Sequence, residues 1–499
     1  MLESKWMHMG TVLKMNAINY PEKLGWQDKI REYNFKDWNE RACRLANGLK
    51  DLGVGYKDTF AVIAYNRGEW MDIYASCGKG GQIVVPVMFR LAGPEIEYIV
   101  NHSECKGFIV EAPFVDLINS IRDKLPVPEN GYIYLGDGPV PEGYIGYEEL
   151  LGKSSPDEPD LMVDAADTWT IMYTSGTTGR PKGVVRTHES YMAQYFLNNV
   201  NMGVLPTDKV MLVMPMCHVN SIFYSFPYTL VTAPVFVYNM KSFDPEDLLR
   251  TIEKYKITFT SLVPTHYIMM LALPDEVKSK YDVSSIRQLL ISSAPARKDL
   301  RPEDQFKKLG SIGKEIFGTD RIKILDENRN EVPDGEVGEL FYRTPMLFKE
   351  YLKEPEKTKE AFFGEWSSAG DMVRRDEDGY YVLVDRKANM IITGGENVYP
   401  SEVEGVVGAH PAIKDIAVIG VPDEKWGEAV KAVAVLHEGY EASAELEKEI
   451  LEWTKGKLAG YKRPKSIDFI RDEEMPRTPT GKILHRVLRE RYGKWSEAR

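Results

Sequence analysis

At 499 residues the chain exceeds what one hydrophobic core supports, and it is expected to divide into at least two domains. With 43% hydrophobic and 28% charged residues it has an ordinary globular composition, and a net charge of −12 argues against nucleic acid as a partner. The longest apolar run, Tyr228 to Tyr238, is interrupted by Thr and Pro and is too short to span a bilayer, and the first residues do not read as a signal peptide. Cys43, Cys77, Cys105 and Cys217 form no Cys-x-x-Cys pair and no metal-ligand spacing, so buried free thiols in a reducing, cytoplasmic setting are expected. From Lys455 to Arg499 there are 13 Lys/Arg against 6 Asp/Glu, a bias that suits a solvated face or one turned towards anions.

In chain order, the apolar spacing of Phe35, Trp38, Ala42, Leu45, Leu49 and Leu52 predicts a helix, with Asn34 as its N-cap and Gly53 and Gly55 at its end. Strands are expected at 60–64, 83–87 and 107–110, with helices at 70–77 and 94–101 between them. That rhythm means βαβ units in a largely parallel sheet. It returns at 209–214, 234–238, 258–262 and 288–292, whose continuous apolar runs fit strands buried on both faces. After Gly338 short, antiparallel-looking strands are expected at 339–343, 379–384, 416–421, 432–436 and 466–470, with helices at 401–407, 444–457 and 483–492. The fold class is therefore α/β. A large N-terminal domain, 1–387, is expected to have mostly parallel sheets flanked by helices plus a small β-rich subdomain, and a small α+β C-terminal domain is expected to follow at 388–499.

The most distinctive stretch runs from Tyr173 to Val184 and holds Gly176, Gly179 and Gly183, the hydroxyls of Thr174, Ser175, Thr177 and Thr178, and Lys182. Glycines let backbone N–H groups approach an anion, and hydroxyls and an ammonium complete a polyphosphate cradle. A Walker P-loop does not fit, because Pro181 precedes the lysine and Gly183 follows it. A solvent-exposed turn between two strands is the plain structural alternative. The twelve residues resemble the phosphate-binding signature of the acyl-adenylate-forming superfamily, which includes acyl-CoA synthetases, peptide-synthetase adenylation domains and firefly luciferase.

That resemblance extends along nearly the whole chain and implies that the C-terminal domain is mobile. Met214 to Asn220 is similar to the segment whose histidine, here His218, lies at the acyl end of the site; a core or capping histidine is the alternative. Ser293, Ala294 and Pro295 match the strand end where small residues admit an adenine ring. Asp371 matches the aspartate that holds the ribose, a role suited to a carboxylate that accepts from two hydroxyls. The stretch from Asp385 to Glu404 supplies Arg386 near the ribose, a hinge at Ala388 where the family usually has Asp or Lys, and Gly394 and Gly395 lining the pantetheine tunnel. Lys482, directly after Thr480 and Gly481, matches the lysine that enters the site for adenylation. Trp426, Tyr461, Arg463 and Lys465 resemble positions that contact coenzyme A, with the aromatics stacking on its adenine and the cations meeting its phosphates.

The resemblance implies ATP, Mg2+ and coenzyme A as cofactors, with Thr177 as a metal ligand, and Lys482, Thr177 and His218 as catalytic residues. It implies an acid-CoA ligase that forms acyl-AMP and pyrophosphate from a small-molecule carboxylic acid, then transfers the acyl group to CoA. A carrier-protein adenylase and a catalytically silent binder are the alternatives. A homodimer stays open as an assembly. Val219, Asn220 and Ser221 carry no charge for a substrate ammonium, which disfavours amino acids; Asn220, Ser221, Thr265, His266 and Tyr267 suit a small or medium acid. In one place the sequence departs from the pattern. The interval after Leu300 is too short for the family's Tyr-Gly-x-Thr-Glu segment, which occurs nowhere in the chain. Both flanks keep the pattern, so an omitted segment is expected rather than a natural deletion; a true deletion is expected to abolish adenylation.

Overall fold

The computed structural model describes residues 8–174, 181–291, 311–315, 318, 322–478 and 481–493. The helix at Phe35–Asp51 forms as expected. The Asn34 side chain accepts from the Asp37 N–H at 2.8 Å, and Gly53 follows with φ +91°.

An eight-stranded sheet takes the order Glu350–Tyr351, Gly183–Thr187, Thr168–Tyr173, Ile83–Val87, Thr59–Ile63, Gly107–Glu111, Tyr132–Leu135, Ile145–Gly146. It is parallel from Thr168–Tyr173 onwards, and the two strands at its other edge run antiparallel. A six-stranded sheet places Phe259–Leu262, Val210–Leu212 and Val235–Val237 side by side in parallel, with Gln288–Ile291 at one edge and the hairpin Leu24–Gln27/Glu32–Asn34 at the other. The apolar core gathers Trp26, Trp38, Trp70, Tyr74, Trp169, Tyr191, Tyr195 and Phe226.

The helix Glu69–Gly80 is buried along its entire length. It therefore carries acidic residues into the interior, and they are paired there. Asp72 accepts from Trp26 Nε1 at 3.1 Å and Arg41 Nε at 2.7 Å, while Arg41 reaches Glu148 with both terminal nitrogens at 2.9 and 2.8 Å. Removing either partner of such a chain leaves a buried charge uncompensated.

A third sheet of Ser311–Gly313, Tyr381–Arg386, Asp371–Arg375, Gly338–Phe341 and Lys323–Leu325 is antiparallel throughout. The last sheet pairs Ile413–Asp423 with Gly427–Leu436, strands of eleven and ten residues, longer than the short strands expected. Its Ser466–Ile470 strand runs parallel to Gly427–Leu436 rather than antiparallel, because the helix Ala444–Trp453 intervenes as a crossover. The last helix begins at His485, two residues later than expected, since Ile483 pairs with Arg477 across an isolated antiparallel bridge. All four cysteines are free and buried. Among the described residues no helix is long and apolar enough to cross a membrane.

Candidate active site

The glycine-rich stretch joins Thr168–Tyr173 to Gly183–Thr187, with Tyr173 opposite Gly183. Its neck is closed by two hydrogen bonds. The Thr174 N–H donates to the Lys182 carbonyl at 3.0 Å, and the Lys182 N–H donates to Thr174 Oγ1 at 3.2 Å. Gly183 leaves little room for a side chain, because a Cβ would lie 3.0 Å from Ile171 Cγ2, 3.1 Å from Tyr173 Cζ and 3.2 Å from Leu352 Cβ, so these neighbours would have to give way. Ser175, Gly176, Thr177, Thr178 and Gly179 lie outside the described residues, as do Ser293, Ala294 and Pro295. The half-buried Lys182 places its ammonium 4.2 Å from the centre of the Tyr351 ring. Burial and then the Lys357 cation hold it below the usual lysine range, with Glu354 and Glu360 opposing.

His218 does two jobs. It caps the helix Val219–Leu230, its Nδ1 accepting from the Asn220 N–H at 3.2 Å, which puts the ring proton on Nε2. It also feels the charge of Lys482: burial first, and the Lys482 cation second, hold it below the ordinary histidine value.

Asp371 and Arg386 are register partners on adjacent antiparallel strands, with Arg386 Nε 2.6 Å from Asp371 Oδ1. Arg386 Nη1 also donates to the Ala369 carbonyl at 3.0 Å. Burial raises the Asp371 carboxyl against the pull of Arg386 and then of Lys482.

Lys482 arrives from the C-terminal end of the chain on a tight loop. Gly481 N–H donates to Thr478 O at 2.8 Å, Thr478 N–H to Lys482 O at 2.7 Å, and Lys482 N–H to Thr478 Oγ1 at 3.1 Å. Gly481 takes φ +87°, a conformation that favours glycine. Lys482 as a residue is exposed, yet its ammonium is shielded enough that burial is the first cause lowering its pKa. Arg386 lowers it further, and Asp371 opposes. The charge of Lys482 is thus felt at both His218 and Asp371, and that of Arg386 at Lys482, so that residues from three parts of the chain are electrostatically coupled.

A second grouping surrounds Gly394 and Gly395, the turn between Ile391–Thr393 and Glu396–Val398, with φ +60° and +85°. The Gly394 N–H donates to the Trp426 carbonyl at 2.7 Å, and a Cβ on Gly394 would meet Trp426 Cε3 at 2.8 Å, so the indole lies directly on the turn. Tyr461, Arg463 and Lys465 come from the separate segment leading into Ser466–Ile470. Tyr461 is exposed, Arg463 Nε donates to Thr454 Oγ1 at 3.1 Å, and the Lys465 N–H joins Val430.

Two expected pocket hydroxyls are spoken for. Ser221 Oγ donates to Met214 O at 2.6 Å and the Tyr267 hydroxyl to Leu290 O at 3.0 Å, because a carbonyl just past the strand Val210–Leu212 and one on the edge strand Gln288–Ile291 need donors there. Asn220 Nδ2 donates to Ser261 Oγ at 3.2 Å, His266 stacks on Phe243 at 3.9 Å, and Thr265 is exposed. Tyr351 went unnoticed in the sequence, where nothing but its strand-like neighbourhood marks it.

The profile of the family described as AMP-binding enzyme matches residues 13–303 and 299–352, and that of the AMP-binding enzyme C-terminal domain matches 402–482. The chain belongs to the AMP-binding enzymes. Within this acyl-adenylate-forming superfamily it stands in the acyl-CoA synthetase branch. It is 33% identical to a long-chain-fatty-acid–CoA ligase of Mycobacterium tuberculosis, over 97% of this chain and 98% of the relative. A feruloyl-CoA synthase of an Amycolatopsis species is 32% identical, over 92% and 94%. ATP-bound MatB from Rhodopseudomonas palustris superposes with a TM-score of 0.84 at 26% identity, covering 98% of this chain and 99% of that one; its apo form superposes at 0.71.

The family match breaks into two blocks that meet at 299–303, the place where the Tyr-Gly-x-Thr-Glu segment is expected. The alignment to the ligase of Mycobacterium tuberculosis runs over 517 positions, more than the 499 residues of this chain, so that relative carries residues opposite gaps here.

Proposed function

We propose that this AMP-binding enzyme is an AMP-forming acyl-CoA synthetase that works in the cytoplasm, with 1–387 as its adenylating domain and 388–499 as a hinged second domain. The carrying observation is the arrival of Lys482 among Asp371, Arg386 and His218. In the first half-reaction a carboxylate oxygen attacks the α-phosphorus of MgATP, the bond to the β-phosphate oxygen breaks, and pyrophosphate leaves. Asp371 accepts from the ribose hydroxyls and Arg386 fixes that carboxylate. Lys482 meets the negative charge that develops between the acid and the α-phosphate; Asp371 supports its charged form, against burial and Arg386, which together lower its pKa. Thr174, Lys182 and the intervening hydroxyls and glycines take the β- and γ-phosphates, and His218, proton on Nε2, lines the acyl end.

In the second half-reaction the CoA thiolate attacks the acyl carbon and AMP departs with the bonding pair. The Gly394–Gly395 turn, open at Gly395, lines the path of the pantetheine arm beside the Trp426 indole, and the exposed Trp426 and Tyr461, with Arg463 and Lys465, receive the nucleotide end of CoA. Magnesium fits as part of the MgATP substrate. The described residues offer no group of three or more His, Cys, Asp or Glu to hold a resident ion, and Mg2+ binds mainly through phosphates and one or two protein groups; Thr177 is the proposed protein ligand.

The test is a pyrophosphate-release assay over a panel of carboxylic acids, with and without CoA. An acid that releases pyrophosphate and yields an acyl-CoA supports the reading. Release with CoA inert points instead to a carrier-protein adenylase, and no release with any acid points to a silent binder.

A further inference from the structure

The short strand Glu350–Tyr351 lies far along the chain from the glycine-rich stretch, yet it is stitched to the strand that leaves it. Tyr351 is opposite Val184 and Glu350 opposite Val185. The Leu352 N–H donates to Gly183 O and the Lys349 N–H to Val185 O, both at 2.8 Å. The Tyr351 N–H is in turn held by Thr358 Oγ1 at 2.9 Å, and its ring is backed by Phe348 at 4.8 Å. The ring therefore has a fixed place, and Lys182, with 4.2 Å from ammonium to ring centre, rests on it.

A lysine on a free stem has many rotamers to lose when it meets a phosphate. An aromatic face holds an ammonium by the ring quadrupole, more weakly than an ionic hydrogen bond to phosphate holds it. Such a seat pre-positions the cation without trapping it. The carboxylate of Glu354 and the ammonium of Lys357, paired with each other one turn away, add charges of both signs beside the seat.

We infer that Tyr351 is a positioning residue for nucleotide binding, its ring holding the Lys182 ammonium at the neck of the glycine-rich stretch where the terminal phosphates of ATP arrive. This rests on the assignment of Lys182 to those phosphates. The ring, not the hydroxyl, is the active part, so Phe at 351 serves and an aliphatic residue does not.

The experiment compares Tyr351→Leu, Tyr351→Phe, Lys182→Met and the double variant Tyr351→Leu/Lys182→Met in the full chain, measuring KM for ATP, KM for the acid, kcat, and ATP affinity by titration calorimetry. Expected is a rise in KM for ATP of about two- to thirty-fold in Tyr351→Leu. KM for the acid should stay within about two-fold, Tyr351→Phe should stay near the parent, and the leucine should have no added effect once Lys182 is gone. Equal effects of leucine and phenylalanine, or the same leucine effect in the Lys182→Met background, would overturn the inference and mark Tyr351 as packing only. If Lys182→Met leaves ATP affinity untouched, the phosphate assignment of Lys182 falls and the inference with it. If Lys182→Met weakens ATP and Tyr351→Leu does not, only the inference falls. Melting curves of all four proteins separate these outcomes from misfolding.

Discussion

Arg386 Nε lies 2.6 Å from Asp371 Oδ1 because the two residues occupy directly opposed positions on neighbouring antiparallel strands. The pair is held by the sheet rather than by flexible loops, so the carboxylate proposed to meet the ribose is oriented before any nucleotide comes. Asp371→Asn keeps the shape and removes the charge. We expect kcat/KM for ATP to fall about ten- to hundredfold, the range of a lost charge-assisted hydrogen bond, as read by steady-state kinetics.

Lys482 should matter to one half-reaction alone. Lys482→Ala is expected to slow acyl-AMP formation by a factor of roughly 10²–10³ while thiolation of supplied acyl-AMP proceeds. Single-turnover measurements of each half-reaction decide; equal losses in both would contradict a lysine that acts only on the adenylation side.

The opposite partition is expected for the Gly394 turn. A valine there must adopt φ near +60° and push the Trp426 ring aside. Gly394→Val should cost about 1–3 kcal/mol in stability and slow thiolation, with pyrophosphate release within about two-fold of the parent. Thermal melting and the same two half-reaction assays report both effects.

A pH effect on stability comes from His188, which is fully buried and stacked on Trp169, with no hydrogen-bond partner for either ring nitrogen among the described residues. Burial, then the neighbouring His8, lowers its pKa to about 3, against the pull of Asp167. The unfolded chain takes up this proton near pH 6.5, so stability is complete above that and is lost as pH falls towards 3, by up to about 1.4 kcal/mol per unit. Melting temperature should therefore drop between pH 7.5 and 5, and His188→Phe should flatten that slope whatever it does to the absolute value.

Much of this molecule was legible in its residues. The helix after Asn34 and the parallel strands through Ile83–Val87 follow from local periodicity and capping, which need no partner to be read. The site motifs were legible because each is contiguous: Gly481 and Lys482, or Gly394 and Gly395. What stayed hidden depends on pairing at a distance. Tyr351 meets Lys182 only because an edge strand docks there. Ser466–Ile470 is parallel only because a helix returns the chain to the same edge. The hydroxyls of Ser221 and Tyr267 looked available, since no sequence shows which carbonyls will need them.

The turn Lys387–Asn389 is anchored on both sides. Lys387 Nζ is tied to Glu339 at 2.9 Å, and the very next carbonyl, that of Ala388, is tied to Arg489 of the last helix at 3.0 Å. One anchor belongs to the antiparallel sheet before the turn and the other to the tail. We expect the proposed swing to turn about the few rotatable bonds between these neighbouring anchors. A bare methyl at position 388 offers such a joint no side-chain tie of its own, and the tie made there runs from Arg489 to the backbone carbonyl.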